Sequence, residues 1–278
     1  MPHVNLNFEE RAQKVCRQAD VDDYQLQGAV LLKGLLNAAE VSLLTEGIEK
    51  NLETLSPRAK IASRKDDPGL FVEDFCNWRE IEEYERFICD SPLAAVAARL
   101  MQSRCARLYH DHLLVKESHT AQVTPWHQDQ PYYNVDGKQN CSFWIPVDSV
   151  PRAHTLEFVG GSHLGPWLMP RSFCDNQAKW FPEGSLGELP DIENNRRSFS
   201  ILGWAVEPGD VVAFHMLTLH ASSGVQERRR VFSVRFLGDD MVHAPRPWVT
   251  SPHFAGLEQA LPAGVAMEHE LFPVLWPK

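Results

Sequence analysis

The hydrophobic and polar positions of the chain follow two different patterns, which change at about residue 104. In the first part, apolar residues recur every three or four positions, which is typical of helices that bury one face. The segment NAAEVSLLTEGIEKNLETL has this spacing and begins at Asn37, a candidate N-cap. The segment SPLAAVAARLMQ repeats it, with Ser91 as the expected cap and Pro92 in the first turn. The short apolar run GAVLLKG precedes both and predicts a strand.

The second part consists of short runs rich in β-branched and aromatic residues, separated by Gly, Pro and Asp. These runs are RLYHDHLLVK, NCSFWIPVD, HTLEFVGGSH, SILGWAVEPGDVVAFH and RRVFSVRFLG. Many short strands without intervening helices predict an antiparallel sandwich or barrel rather than a βαβ sheet.

The stretch from about 165 to 197 interrupts the strand pattern. It contains Pro, Gly and Asn together with four large aromatic residues, Trp167, Phe173, Trp180 and Phe181. An insertion of this length in a compact domain is usually a lid or a disordered loop. Its aromatic content favours a lid.

Composition narrows the classes of partner. The 278 residues carry a formal net charge of −10, which argues against nucleic acid or an anionic membrane as the main partner. The N-terminus has no signal-peptide layout, and the apolar run AVLLKGLL is too short and too interrupted by Lys33 to cross a membrane. Six cysteines without CxxC spacing predict reduced thiols, and we expect a cytoplasmic protein.

Two segments contain candidate metal ligands. TPWHQDQPYY places His127 and Asp129 two residues apart, a spacing that carries little information alone. PGDVVAFHMLTLHASSG contains His215 and His220. We expect His220, at a strand end before a turn, to point into a barrel, and we interpret His215 as a packed or surface residue.

The run RRRVFSVRF places charged residues on both faces of one predicted strand. Arg229 and Arg235 share the parity of Val231 and Ser233, whereas Arg230 points the other way. An Arg directed into an apolar barrel is costly to bury without an anion. We therefore expect a carboxylate-bearing ligand.

These residue types favour one chemistry. Two imidazoles and one carboxylate suit Fe(II) and leave three coordination positions open. A zinc hydrolase can use the same ligands but needs no paired Arg. An iron enzyme with a dicarboxylic co-substrate does need an Arg, because the carboxylate of the co-substrate that is far from the metal needs a cation. A guanidinium meets that carboxylate with two hydrogen bonds.

Five segments in order resemble the phytanoyl-CoA dioxygenase family of Fe(II)/2-oxoglutarate oxygenases. They are TPWHQDQPYY, NCSFWIPVDSV, LEFVGGSH, EPGDVVAFHMLTLHASSG and RRRVFSVRF. The N-terminal GAVLLKGLLNAAEVSLL is also similar, so the resemblance covers about residues 25 to 240. Each motif is weak alone, but five in order are specific.

The resemblance implies a mainly β fold with flanking α-helices, a double-stranded β-helix of the jelly-roll, cupin-like type. We expect one oxygenase domain over 1–278. Helical support would occupy about 1–103 and the jelly-roll core about 104–240, with the lid insertion at 165–197 and a C-terminal extension at 241–278.

The resemblance also implies iron ligands and a reaction. His127, Asp129 and His220 resemble the family's iron ligands. The cofactors would be Fe(II) and the co-substrate 2-oxoglutarate, which with O2 would hydroxylate a C–H bond and release succinate and CO2. Related halogenating enzymes have a small residue in place of the carboxylate ligand, so Asp129 favours hydroxylation or another non-halogenating oxidation.

Four further residues resemble co-substrate contacts of the family. Arg229 resembles the partner of the 2-oxoglutarate C5 carboxylate, with Ser222 as its hydrogen-bond helper. Trp144 resembles a Trp that lines the co-substrate site, and His112 falls where the family often has Met. The distal His and Arg229 are nine residues apart, where the family often has eleven. Arg230 is therefore a rival, and Arg235 a further one.

Two other functions use the same residues: a cupin-like metal protein that does not use 2-oxoglutarate, and a non-catalytic member that binds a small ligand. We expect a small-molecule substrate with an apolar or ring-bearing portion, because aromatic residues surround the motif (Trp126, Tyr132 and Tyr133). A coenzyme A thioester would need cations at the pocket mouth, and the candidates are Lys116, Arg152 and Arg171. The sequence leaves the oligomeric state open.

Overall fold

The computed structural model describes residues 8–63, 66–169 and 186–277. The α-helices of this part are α1 Phe8–Val15, α2 Gln18–Gln27, α3 Ala38–Glu53, α4 Glu82–Asp90, α5 Leu93–Met101 and α6 Leu257–Ala260. The strands are β1 Ala29–Leu32, β2 Lys60–Ile61, β3 Phe71–Phe75, β4 Ala106–Lys116, β5 Thr124–His127, β6 Val135–Asp136, β7 Asn140–Pro146, β8 Leu156–Val159, β9 Ile201–Leu202, β10 Val211–Phe214, β11 His220–Ser222, β12 Arg229–Leu237, β13 Val242–His243 and β14 Val274–Trp276. Short 3-10 turns occupy Gln130–Tyr132, Arg152–His154, Ser162–Leu164 and Arg196–Ser198.

The strands pair antiparallel in two main sheets. The larger sheet has the order β1-β10-β7-β12-β4-β3-β2, and β14 also pairs with β4. The smaller sheet has the order β5-β11-β8-β9, and β13 and β6 form a separate two-stranded ribbon. Apolar side chains of both main sheets, such as Trp144 and Phe158, pack in one cluster between them. The predicted antiparallel sandwich is therefore correct.

Strand β12 shows how the alternation of side chains builds the layers. Phe232, Val234 and Phe236 point outward and pack in a large cluster with the N-terminal helices. The ring of Phe232 lies 4.2 Å from that of Tyr84 on α4. The intervening residues point inward, toward the smaller sheet, because successive strand side chains take opposite faces. This alternation places two arginines of β12 inside the sandwich.

The predicted helix starts are correct at one helix and wrong by one residue at the other. At α3, Oδ1 of Asn37 accepts hydrogen bonds from the backbone N–H groups of Ala39 and Glu40 at 2.9 and 3.0 Å. At α5, the cap is Pro92 rather than Ser91, and Val96 N–H donates to the Pro92 carbonyl at 3.0 Å. Proline has no backbone N–H. The N–H groups at the start of a helix have no acceptor within the helix, so proline at this position costs no hydrogen bond.

Three strands of the larger sheet, β2, β3 and β14, were not predicted from the sequence. Strand β3, in the region predicted as helical support, pairs with β4 along its whole length. Its sequence FVEDF has two acidic residues in five positions, which obscures the strand pattern. Strand β14, in the predicted C-terminal extension, pairs with the other end of β4.

About half of the predicted lid lies outside the described residues, because 170–185 are not described. Phe173, Trp180 and Phe181 belong to that stretch. Five described cysteines, Cys16, Cys76, Cys89, Cys105 and Cys141, form no disulfide. No helix among the described residues has the length and apolarity that a membrane crossing needs.

Candidate metal centre and adjoining cavity

The three predicted iron ligands meet at one edge of the smaller sheet. His127 ends β5 and His220 begins β11, and the two residues are direct cross-strand partners. Asp129 follows in a turn whose backbone is fixed, because the N–H groups of Asp129 and Gln130 both donate to the carbonyl of Met216 at 2.7 and 3.0 Å. Strand pairing and this turn together bring distant residues of the chain into one site.

The geometry of the three side chains suits a metal ion. Nδ1 of His127 and of His220 lie 2.8 and 2.9 Å from the carbonyl oxygens of Pro125 and Thr218. These bonds fix a hydrogen on Nδ1 and direct Nε2 toward the site. The two Nε2 atoms lie 3.4 and 3.6 Å from Oδ1 of Asp129. Adjacent ligand atoms around an octahedral ion with bonds of roughly 2.1 Å are about 3 Å apart, so the arrangement fits.

The protonation states also fit a divalent cation. Burial lowers the pKa of His220 to about 3, with a smaller contribution from His127, so its imidazole is neutral at pH 7. Burial alone would raise the pKa of Asp129, but Arg235 and the two imidazoles together lower it well below its usual range. Neutral nitrogen and charged oxygen donors are the set that Fe(II) takes in this geometry. Among the described residues, this is the one cluster of three or more His, Cys, Asp or Glu side chains able to hold a metal.

Arg235 fixes the carboxylate ligand from behind. Its Nη2 donates to Oδ2 of Asp129 at 3.1 Å, and its guanidinium lies over the ring of Tyr133 at 5.8 Å. Because Oδ2 is bound to Arg235, only Oδ1 faces the imidazoles. Asp129 is thus held to present one oxygen to a metal.

The ligands open onto a cavity of about 380 Å³ between the two sheets. This volume lies in the range typical of small-molecule sites. Its apolar walls include Phe71, Leu114, Trp144, Leu156 and Phe214. Tyr132 and Tyr133 also line it, whereas Trp126 packs in a separate cluster on the other side of the smaller sheet.

Arg229 is a buried cation at another point of the cavity wall. Its Nη1 donates to the carbonyl of His154 at 2.6 Å, and its guanidinium lies 5.6 Å from the ring centre of Trp144. Its Nε has no hydrogen-bond partner among the residues that the structure describes. No carboxylate within the described ranges forms an ion pair with it. Burial lowers the pKa of Arg229 to about 10, which still leaves it charged at neutral pH. This site suits an anion.

Lys116 lies beside Arg229 as its cross-strand partner, and it is fully buried. Its Nζ donates to the carbonyls of Gln122 and Ser223 at 2.7 and 3.0 Å and lies 3.3 Å from Oγ of Ser222. The predicted helper of Arg229, Ser222, therefore contacts Lys116. Lys116 is buried and does not line the cavity, so this candidate offers no cation to a coenzyme A thioester at the cavity mouth.

Of the other two coenzyme A candidates, the structure describes Arg152 alone. Arg152 lies outside the cavity and pairs with Glu157 at 3.0 Å. Arg171 lies outside the described residues.

Arg230 lies on the outer face of β12, as its parity predicts. It pairs with Asp148 at 2.5 Å and with Glu49 at 2.6 Å, and these carboxylates satisfy its charge. His215 is also structural: its imidazole bonds to the carbonyl of Lys138 at 2.9 Å and accepts from the N–H of Leu217. Neither residue lines the cavity.

His112 lines the cavity next to a carboxylate that sequence reasoning missed. Its Nε2 lies 3.4 Å from Oε1 of Glu73, and its ring stacks on Phe75 at 3.9 Å. The segment FVEDF did contain a signal for Glu73. Alternation along a strand places Phe71, Glu73 and Phe75 on one face, so a strand prediction here would have put Glu73 beside two aromatic residues.

A model of the phytanoyl-CoA dioxygenase family matches residues 24–231, about three quarters of the chain. The chain belongs to this family. The recognition from five sequence motifs is therefore confirmed, and with it the class of Fe(II)/2-oxoglutarate-dependent oxygenases to which the family belongs.

A curated relative from Caenorhabditis elegans is named "Probable phytanoyl-CoA dioxygenase". It is 26% identical over 190 residues, which cover 66% of this chain and 55% of the relative. The chain thus spans about half the length of that protein.

Solved structures resemble the whole described fold. The α-ketoglutarate-dependent carbocyclase SnoK aligns with a TM-score of 0.72 at 22% identity, covering 95% of this chain and 97% of its own. The epimerase SnoN, solved with Fe3+, α-ketoglutarate and nogalamycin RO, aligns with a TM-score of 0.70 at 18% identity over 95% and 98%. EctD from S. alaskensis, solved with 2-oxoglutarate and 5-hydroxyectoine, aligns with a TM-score of 0.64 at 17% identity. The alignment covers 84% of this chain and 83% of EctD. The predicted double-stranded β-helix is confirmed.

Proposed function

We propose that this protein is an Fe(II)- and 2-oxoglutarate-dependent dioxygenase that hydroxylates a C–H bond of a small molecule and releases succinate and CO2. One observation carries the proposal. A three-residue metal site opens onto a cavity whose wall holds Arg229, a buried cation without a carboxylate partner in the described chain.

The ligand residues would hold the iron through Nε2 of His127, Nε2 of His220 and Oδ1 of Asp129. Iron bound there with 2-oxoglutarate supplies the activation of dioxygen. Three protein ligands on one side leave three positions for co-substrate and oxygen. Because Asp129 provides a carboxylate oxygen, hydroxylation or another non-halogenating oxidation is favoured.

The two inward arginines of β12 would serve opposite ends of the site. They are six residues apart, which is about 20 Å along a strand. Arg235 bonds to the ligand Asp129, whereas Arg229 is available to bind the far carboxylate of 2-oxoglutarate. Lys116 lies beside Arg229, but its Nζ is bound to oxygens of the protein, so Arg229 is the group available to the far carboxylate.

Three further residues would shape the co-substrate site. Trp144 lies under the guanidinium of Arg229 and would limit the space around the bound diacid. Ser222 would act through Lys116, which it contacts. His112 would border the site from the neighbouring strand β4. The apolar walls would exclude water from the reacting atoms.

Substrate-independent turnover tests the proposal. With Fe(II), 2-oxoglutarate and O2, the protein is expected to form succinate slowly in the absence of substrate. Pyruvate has the same keto-acid end without the far carboxylate, so it serves as the matched control and should support at least tenfold less turnover. Mass spectrometry of the acid products measures both.

Two results would favour the other candidate functions. Metal binding with no dependence on 2-oxoglutarate would indicate a cupin-like metal protein of another kind. Binding of iron and 2-oxoglutarate without any succinate would indicate a non-catalytic member of the fold.

Arg235→Met is expected to weaken Fe(II) binding by roughly 10- to 100-fold, because residues that orient a ligand usually contribute that much. Without Arg235, Asp129 is free to rotate and to place both oxygens toward the metal. Anaerobic calorimetric titration with Fe(II) measures the loss. Arg230→Met, on the same strand but on the outer face, is the control and should bind Fe(II) like the unmodified protein. Equal affinities for the Arg235 and Arg230 variants would contradict this role.

A further inference from the structure

Glu73 is a buried carboxylate in the cavity wall for which the iron and 2-oxoglutarate sites provide no role. It lies at the middle of β3 and is 5% exposed. Oε1 of Glu73 and Nε2 of His112 face each other at 3.4 Å, and neither atom forms a well-aligned hydrogen bond with any group of the described chain. A carboxylate held in a largely apolar cavity without donors is energetically costly. Such a group points to a ligand that supplies the missing donor.

None of the neighbouring cations supplies it. Lys116 directs its Nζ to the oxygens of Gln122, Ser222 and Ser223. Lys60 is the cross-strand partner of Glu73, yet its Nζ lies over the ring of Phe75 at 5.0 Å.

His112 and Arg229 do not supply the charge either. Burial lowers the pKa of His112, although Glu73 opposes the shift, so the imidazole is neutral at pH 7. Arg229 lies on β12, which β4 separates from β3, and it forms no ion pair with Glu73. Glu73 therefore forms no ion pair with a Lys or Arg among the described side chains.

We propose that Glu73, with His112 beside it, binds a protonated amino group of the substrate within the cavity. The proposal rests on the proposed function, because it assigns the substrate of the same site. A protonated amine offers both the charge and the N–H donors that Glu73 lacks. The aromatic walls, including Phe71, Phe75 and Trp144, would take an apolar body attached to that amine. The substrate class is thus a small amine with an apolar or ring-bearing portion.

Three matched probes test the charge of the ligand: benzylamine, benzyl alcohol and benzoate share a ring and differ in one polar group. Each is titrated calorimetrically into the anaerobic protein loaded with Fe(II) and 2-oxoglutarate. Benzylamine is expected to bind more tightly than the other two. Glu73→Gln should weaken the binding of benzylamine by about tenfold or more, which is the loss expected for one charge-assisted contact. The same variant should change the affinity for benzyl alcohol by less than about threefold.

The control variant is Glu117→Gln. Glu117 follows β4 directly, lies outside the cavity and pairs with Arg228 at 3.1 Å. It should leave the affinity of benzylamine unchanged. A second measurement is thermal unfolding without ligands, where Glu73→Gln should raise the melting temperature by about 2–4 °C because it removes an unmatched buried charge.

Four outcomes would overturn the assignment of Glu73: no binding of benzylamine, equal binding by Glu73→Gln, alcohol bound as tightly as amine, or a lowered melting temperature of the variant. A tenfold change in 2-oxoglutarate affinity on Glu73→Gln would also overturn it, since Glu73 would then face the co-substrate. The proposed function fails separately, if the unmodified protein does not bind Fe(II) and 2-oxoglutarate in the same titrations.

Discussion

Arg229→Met is expected to raise the Kd for 2-oxoglutarate by at least about 100-fold while leaving Fe(II) binding within about threefold. A planar guanidinium that meets a carboxylate with two charge-assisted hydrogen bonds contributes about 3–5 kcal/mol, and each 1.4 kcal/mol is a factor of ten. Lys116 cannot replace it, because its N–H donors already contact three oxygens of the protein. Calorimetric titration of the Fe(II)-loaded protein with 2-oxoglutarate measures the change.

The structure supplies a close control for this variant. Arg230→Met changes the neighbouring residue of the same strand, whose charge is matched on the outer face by Asp148 and Glu49. It should bind 2-oxoglutarate normally and lose about 1 kcal/mol of unfolding free energy at most. Arg229→Met should keep its stability in the absence of 2-oxoglutarate, because the lost charge has no carboxylate partner. If Arg230→Met weakened the binding of 2-oxoglutarate and Arg229→Met did not, Arg230 rather than Arg229 would be the residue that binds the far carboxylate.

Asp129→Ala is expected to lower Fe(II) affinity by at least about 100-fold and to abolish succinate formation. The variant loses one of three protein ligands and exposes the metal to Arg235, whose charge Asp129 now balances at 3.1 Å. The altered balance also affects folding, because removing one member of a buried ion pair costs about 3–5 kcal/mol. Metal content by mass spectrometry and succinate yield check the prediction.

A second variant separates loss of the ligand from loss of the fold. Asp129→Asn keeps the shape and one neutral oxygen donor, so we expect a folded protein with weakened Fe(II) binding and little succinate. His163→Asn provides the control for a nearby side chain outside the cavity lining and should retain Fe(II). Retention of full Fe(II) affinity by both Asp129 variants would refute the three-ligand site.

The sequence was sufficient to predict the family, the strand-rich core and the three side chains that the structure brings together as a possible metal site. Alternation with a period of two follows from strand geometry, so the inward direction of Arg229 and Arg235 and the outward direction of Arg230 were readable without coordinates. The cap at Asn37 was also readable, because it depends on residues next to each other in the chain. Strand β3 was not, since a two-acid run of five residues carries a weak strand signal.

The alternation of side chains along β12 could not decide which of the two inward arginines is available to a ligand. That depends on what lies opposite, and Asp129 reaches Arg235 across 106 positions of the chain. The same holds for Lys116, which the sequence suggested as a cation at the cavity mouth and which the fold buries beside Arg229. The sequence predicted no role for Glu73, because its significance depends on which described side chains surround it in the fold.

The sequence by itself determined which residue types stand at which strand positions, and therefore the fold family and the three ligands. Only the tertiary structure decided how the charges are shared: Arg235 pairs with Asp129 and Arg230 with the outer carboxylates. Among the described residues, Arg229 pairs with no Asp or Glu, and Glu73 pairs with no Lys or Arg. The reason is physical. Side-chain direction is a local property of the backbone, whereas the energy of a buried charge depends on every group within a few ångströms, which distant parts of the chain supply.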